Sequence, residues 1–204
     1  MEREKENEKE KLTVILFTFN LDAEILPSKY IPKVCRKIND KSMIYLAVEL
    51  ANKLSPHTIF IHCNKYNISS INKELKSFKN QKNISFVFDI FFLKDNFSFS
   101  SVLAFPAYSP LISLKTLKYM CSFKNVVSGE QQNIKDYCKC KNNLFYISSS
   151  FIPSPISSKD SLLSSVKKLK DNVFLLEDEM LEVNSQEEYD KAKELYNKRI
   201  NAFS

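Results

Sequence analysis

The sequence predicts an α/β domain built on a mostly parallel sheet, and three observations carry that prediction. Three short apolar, β-branched runs, Leu12–Phe17, Thr58–Cys63 and Ile84–Phe88, have the length of strands. Between them lie stretches with apolar residues at helical spacing. Strand, helix, strand, helix, strand therefore follow in order, the pattern of parallel strands joined by helical crossovers. The chain then closes on a helix that carries its own start signal, Ser185 followed by Glu188 as a capping box.

Residues 1–11 (MEREKENEKEK) alternate charge without an apolar face and read as a solvated, disordered tail or a frayed helix. Residues 12–204 are left as a single domain, with no internal repeat and no boundary. LTVILF (Leu12–Phe17) suits a strand buried on both faces. The polar, Pro-bearing stretch Asn20–Asp40 is too long for a tight turn, which makes it a candidate functional loop. Met43, Ile44, Ala47, Val48, Ala51 and Leu54 fall on one helical face, and Pro56 stops that helix. TIFIHC (Thr58–Cys63) is the second strand, Ile68, Ile71, Leu75 and Phe78 mark the next helix, and Ile84–Phe88 is the third strand. Val102–Phe105 reads as another strand, with Leu114, Leu117 and Cys121 on one face of a following helix. Residues 122–142 are polar and give no assignment. Asn143–Ser149 reads as a strand, Ser158–Lys170 as a helix and Asn172–Leu176 as a short strand. In the last helix Tyr189, Ala192, Tyr196 and Ile200 share a face. Glu187–Lys191 and Glu194–Lys198 are favourable i,i+4 pairs on the other side.

Composition narrows the function. With 44% hydrophobic and 26% charged residues in 204, a packed core is expected. The +6 net charge, 30 basic against 24 acidic residues, is mild and scattered, so nucleic acid is not an expected partner. No apolar stretch approaches the roughly 18 residues of a membrane span. Met1–Lys11 is charged where a leader peptide needs an apolar run, so no membrane partner is expected and the location reads as cytoplasmic. The five cysteines then read as reduced and mostly buried thiols. Cys138 and Cys140 sit beside Lys139 and Lys141, which favour a thiolate, but no histidine is near enough in sequence to suggest zinc.

Glycine is the outlier: only Gly129 is present, where average usage would supply about fourteen. A glycine-rich phosphate loop is therefore excluded, and P-loop, GxSxG, HExxH and dinucleotide motifs are all absent. His57 follows Pro56 as a loop residue, and His62, inside an apolar strand, reads as a core residue rather than a base. Phe86, Phe88, Phe91, Phe92, Phe97 and Phe99 form an aromatic run that suits core or interface packing better than base stacking.

Five stretches, in the right order, resemble the sugar nucleotidyltransferases, and most closely the 3-deoxy-manno-octulosonate (Kdo) cytidylyltransferases. Ile15–Lys29 (ILFTFNLDAEILPSK) and Ile38–Ile44 (INDKSMI) are similar to that family's first strand with its RLPGK loop and to its INGKPMI segment. Ala107–Ile112 (AYSPLI) is similar to its GDEPMI or GDVPLI. Phe151–Glu177 resembles a PSPLE-type run, and Glu182–Leu195 (EVNSQEEYDKAKEL) its closing GVDTPEDLERA. LPSKYIPKV (Leu26–Val34) also resembles the LPKV loop of N-acetylglucosamine-1-phosphate uridyltransferase, with Lys33 as its lysine.

The resemblance implies a three-layer α/β/α, Rossmann-like nucleotide-diphospho-sugar transferase fold. It implies transfer of CMP from CTP to a Kdo-like sugar acid with release of pyrophosphate, with Mg2+ as cofactor and CTP or UTP and a sugar or sugar acid as partners. Lys29 falls on the family's catalytic loop lysine, and Asn20, Lys29, Lys33 and Lys41 become candidate nucleotide contacts, with Arg36 as a substitute cation. Tyr108 and Asn184 fall where the family carries its two metal-holding residues. A phenol and an amide carbonyl are poorer ligands for a hard cation than carboxylates. A catalytically inactive nucleotidyltransferase-like binding or scaffolding protein is therefore the alternative reading. The family often dimerises through the region corresponding to residues 122–142, which is shortened here.

Overall fold

The computed structural model describes residues 11–19, 31–78, 81–88, 100–122, 137–139, 144–147 and 177–202. Its centre is β1 (Lys11–Phe17), whose residues from Val14 to Phe17 are fully buried. Burying each such side chain contributes about 1.5–3 kcal/mol, which is why an uninterrupted apolar run settles in mid-sheet. Parallel neighbours flank it: β4 (Thr58–His62) on one side, followed by β5 (Ile84–Val87), and β6 (Ser100–Pro106) on the other. Beyond β6 the sheet turns antiparallel through β8 (Phe145–Ile147) and β7 (Tyr137–Lys139), giving the order β5-β4-β1-β6-β8-β7. The sheet is mostly parallel with flanking helices, as the sequence predicts. The strand β7 falls within the polar stretch 122–142 that gave no assignment.

Helices α1 (Met43–Asn52), α2 (Ile68–Leu75) and α3 (Leu114–Ser122) join Val14, Leu16, Ile59, Ile61, Leu103 and Phe105 in one core cluster, through Ile44, Val48, Ile71, Leu75, Leu117 and Met120. The opposite sheet face carries Ile15, Phe17, Val102 and Ala104, which are also fully buried. Both faces are thus covered, as a parallel sheet requires. Helix α1 begins where the Ser42 side chain accepts a hydrogen bond from Tyr45 N–H, and it ends at Asn52, before Leu54. The short β2 (Lys37–Ile38) and β3 (Lys41–Ser42) form a hairpin turned at Asn39, whose φ of 55° asparagine tolerates better than most side chains. Among the described residues of a chain with almost no glycine, Asn39, and Ser55 at φ 52°, take the left-handed conformation.

The last helix, α4 (Gln186–Asn201), carries the full capping box. Ser185 Oγ accepts from Glu188 N–H, and the Glu188 carboxylate accepts from Ser185 N–H. Ala192, Tyr189 and Tyr196 pack with Val183 and Leu181 against Ile38, Met43 and Leu46. Arg199 donates to Leu111 O at 2.5 Å. Ser113 caps α3, its Oγ accepting from Thr116 N–H at 3.1 Å, and Glu179, buried in a 3-10 turn, braces that cap by accepting from Ser113 N–H at 3.2 Å and Thr116 Oγ1 at 2.6 Å. Of the expected tail at residues 1–11, Lys11 is instead the first residue of β1, held by its pairing with Ser100, and residues 1–10 lie outside the described residues, as do the expected helix at 158–170, the strand at 172–176, and Phe91, Phe92, Phe97 and Phe99. Of the aromatic run, Phe86 packs on the core and Phe88 is 60% exposed.

Candidate functional site

The chain runs outward from β1 through β4 to β5 and then returns to β1's other edge as β6, so the order reverses between β1 and β6. In open α/β sheets the crevice beyond the carboxyl ends of strands at such a reversal is where ligands bind. Phe17 and Pro106 are in register at that end, and Ala107 N–H donates to Phe17 O at 2.8 Å. Tyr108 follows directly, its side chain fully buried. Asn184 reaches the same place from the segment before α4, because Val183 N–H donates to Tyr108 O at 2.9 Å. Two positions far apart in sequence and chosen from motifs alone are therefore stitched together by one backbone hydrogen bond.

Lys33 completes the group. It lies in a 3-10 turn, Lys33–Cys35, whose Val34 and Cys35 are buried in the main core, so the turn is anchored and its first residue is aimed outward. The Lys33 ammonium donates to Asn184 Oδ1 at 2.7 Å and stands 3.6 Å from the centre of the Tyr108 ring. A partly desolvated ammonium over an aromatic face gains about 1–2 kcal/mol. Burial pushes the Lys33 pKa below the usual lysine value, while Glu182 and Glu188 pull it back up. Burial likewise raises Glu182, against the lowering effects of its hydrogen bond from Asn184 and of Lys33's charge. Glu188 is held low, first by accepting from Asn184 N–H at 2.8 Å and then by its contacts with Ser185.

Other candidates fall elsewhere. Lys41 is paired with both oxygens of Glu49 at 2.9 Å and lies near the Tyr45 ring, and Glu49 raises its pKa. The structure does not join it to the Lys33 group. Arg36 stacks 3.8 Å from the centre of the Tyr189 ring and donates to Gln186 Oε1, which ties the turn to the start of α4. Tyr189 Oη in turn donates to Lys37 O. Asn20 and Lys29 lie outside the described residues. His57 is exposed in its loop, and His62 is buried in β4 against Phe17 and Phe19, in keeping with a core role. Cys35 and Cys63 are buried free thiols.

Sequence reasoning missed Glu182. It stands two residues before Asn184 in the irregular segment ahead of α4, where no helix or strand period exists to mark it. Beside the site, Thr18 Oγ1 donates to His62 O at 2.8 Å and accepts from Asn67 Nδ2 at 3.0 Å, and Asn67 Oδ1 accepts from Asn64 N–H at 2.9 Å. These contacts fix the ends of β1 and β4 to each other and to the start of α2.

No protein-family model and no curated relative matches this chain. Solved structures are similar over nearly its whole length. Rv0371c from Mycobacterium tuberculosis H37Rv superposes with a TM-score of 0.58 at 10% identity, covering 90% of this chain and 97% of that one. A 4-diphosphocytidyl-2C-methyl-D-erythritol synthase from Anaerococcus prevotii DSM 20548 gives 0.57 at 11%, covering 92% and 96%. Another such synthase gives 0.61 at 8%, covering 92% and 100%. The chain has a nucleotidyltransferase-like fold. The motifs resemble Kdo cytidylyltransferases, while two of these neighbours are 4-diphosphocytidyl-2C-methyl-D-erythritol synthases. The fold is what the two have in common, and identities this low establish the fold alone.

Proposed function

We propose that this chain is a nucleotidyltransferase of the cytidylyltransferase type. It binds a nucleoside triphosphate, CTP before UTP, beyond the carboxyl ends of β1 and β6 and passes the nucleoside monophosphate to a sugar acid or sugar phosphate. An acceptor oxygen bonds to the α-phosphorus, the bond from that phosphorus to the β-phosphate breaks, pyrophosphate leaves with the electron pair, and the acceptor proton passes to solvent. The observation that carries the reading is the meeting of Lys33, Tyr108 and Asn184 at the point where the strand order reverses. Lys33 supplies the positive charge for phosphate oxygens. Asn20 and Lys29 are assigned to the nucleotide by the motif resemblance, with Lys29 at the reacting phosphate; Lys41, which the resemblance also offers, is held by Glu49 and is given no role in this reading.

The fold family implies a divalent cation, and Rv0371c has been solved in complex with manganese. The residues here do not fit one. Tyr108 presents a ring face, Asn184 Oδ1 already accepts from Lys33, and among the described residues no group of three or more His, Cys, Asp or Glu is placed to hold a metal. No step is therefore routed through a metal. That same observation favours a second reading, a catalytically inactive nucleotide-binding protein. Calorimetric titration of CTP and UTP, alongside a pyrophosphate-release assay with candidate sugar acids and sugar phosphates, decides the matter. Turnover supports the transferase, binding without turnover supports the second reading, and failure to bind either nucleotide refutes both.

A further inference from the structure

We propose that the Lys33 ammonium is the resident cation of this site, standing where a divalent metal would otherwise sit, so that the site binds its anionic ligand without metal. The inference rests on the nucleotide-binding reading for its ligand, but its claim about the metal stands on this group of residues.

The geometry excludes sharing. Lys33 Nζ lies 2.7 Å from Asn184 Oδ1. A magnesium ion on the same oxygen would need about 2.1 Å and would lie within about 5 Å of the ammonium, with like charges facing each other. The Tyr108 ring, 3.6 Å away, favours a cation by its quadrupole but offers no lone pair in the plane of a coordination shell. The two carboxylates near Lys33 among the described residues are also committed. Glu188 accepts two backbone N–H groups in the α4 cap, at 2.8 and 2.7 Å. Glu182 accepts from Asn184 Nδ2 and balances Lys33. The Val183–Tyr108 backbone hydrogen bond fixes the distance between the two sides, and the buried Val34 and Cys35 fix the turn that brings Lys33 between them. An ammonium so held is an immobile single charge whose remaining N–H bonds are available to phosphate oxygens.

Two titrations test this on the full chain. In the first, Mn2+ is titrated into the protein and free Mn2+ is followed by its paramagnetic resonance signal. The unaltered chain is expected to bind none, and the double variant K33M/Y108D is expected to gain a site. In the second, CTP is titrated in EDTA and in excess Mg2+. Affinity is expected to be unchanged by Mg2+, to fall roughly tenfold in Lys33→Met through loss of a charge-assisted hydrogen bond, and to be largely kept in Lys33→Arg. Stoichiometric Mn2+ binding by the unaltered chain overturns the inference, as does a tenfold gain in CTP affinity from Mg2+ or an unchanged affinity in a folded Lys33→Met. If CTP binds under neither condition, the proposed function fails, and the Mn2+ titration of the unaltered chain still decides whether the metal position is closed.

Discussion

Double-mutant cycles between Lys33 and its two partners should return measurable coupling, and the structure sets the size. The bond from Lys33 to Asn184 is charge-assisted at 2.7 Å, but Asn184 is exposed, so it falls below the usual range of such bonds and nearer that of a neutral one, about 1 kcal/mol. The ring contact at 3.6 Å is partly desolvated and contributes about 1–2 kcal/mol. Against both stands the cost of burying the ammonium, which depresses its pKa. Lys33→Met alone should therefore change stability by no more than about 1 kcal/mol, because lost contacts and relieved desolvation offset each other. Tyr108→Leu, at a fully buried position, should cost about 2–4 kcal/mol through the cavity it leaves. The cycles remove these background terms and should leave about 1 kcal/mol for each pair. Urea unfolding at constant m-value is the assay. Alkaline pH adds a second reading. Lys33's folded-state pKa lies below its unfolded value, so the unfolded chain holds more protons between the two, and stability rises with pH through that window. Lys33→Met should flatten the rise. Couplings below about 0.3 kcal/mol for both pairs, within the error of additivity, would refute the arrangement.

Asn67→Ala should destabilise the protein by about 2–3 kcal/mol in urea, because it strips a buried donor from Thr18 Oγ1 and an acceptor from Asn64 N–H; a loss under about 0.5 kcal/mol would mean that water replaces the network. Glu182 has its pKa raised above 4.5, so the native state holds the proton more tightly just above that value and stability falls as pH rises through the window. Glu182→Gln should flatten that fall in unfolding midpoints taken from acid to neutral pH, and an unchanged profile would show that the carboxyl is not buried beside Lys33. Burial raises the Cys35 and Cys121 thiols to about 12 and Cys63 to about 11, so iodoacetamide at neutral pH should spare all three until urea is added. Mass spectrometry locates the label, and rapid modification of native Cys35 would contradict its place in the core.

The sequence alone carried whatever depends on local periodicity and short-range chemistry. The apolar run at β1, the helical faces of α1 and α2 and the Ser185–Glu188 cap were legible because strand and helix periods, and the reach of a capping side chain, are properties of neighbouring residues. The motif resemblance went further and named Tyr108 and Asn184 as neighbours, which the structure places in one group. It did not show what occupies the space between them. Lys33 was assigned to a nucleotide, yet its position depends on a turn pinned by Val34 and Cys35 and on the Val183–Tyr108 hydrogen bond, contacts between segments remote in sequence. Lys41 and Arg36 looked as available as Lys33, and only the folded chain gives Glu49 to one and Tyr189 to the other. The strand β7 was equally invisible, since three residues on the edge of a sheet need no apolar pattern of their own and are held by the ladder to β8. Charge pairing and edge pairing are decided by through-space distance, which tertiary packing sets and sequence spacing does not record.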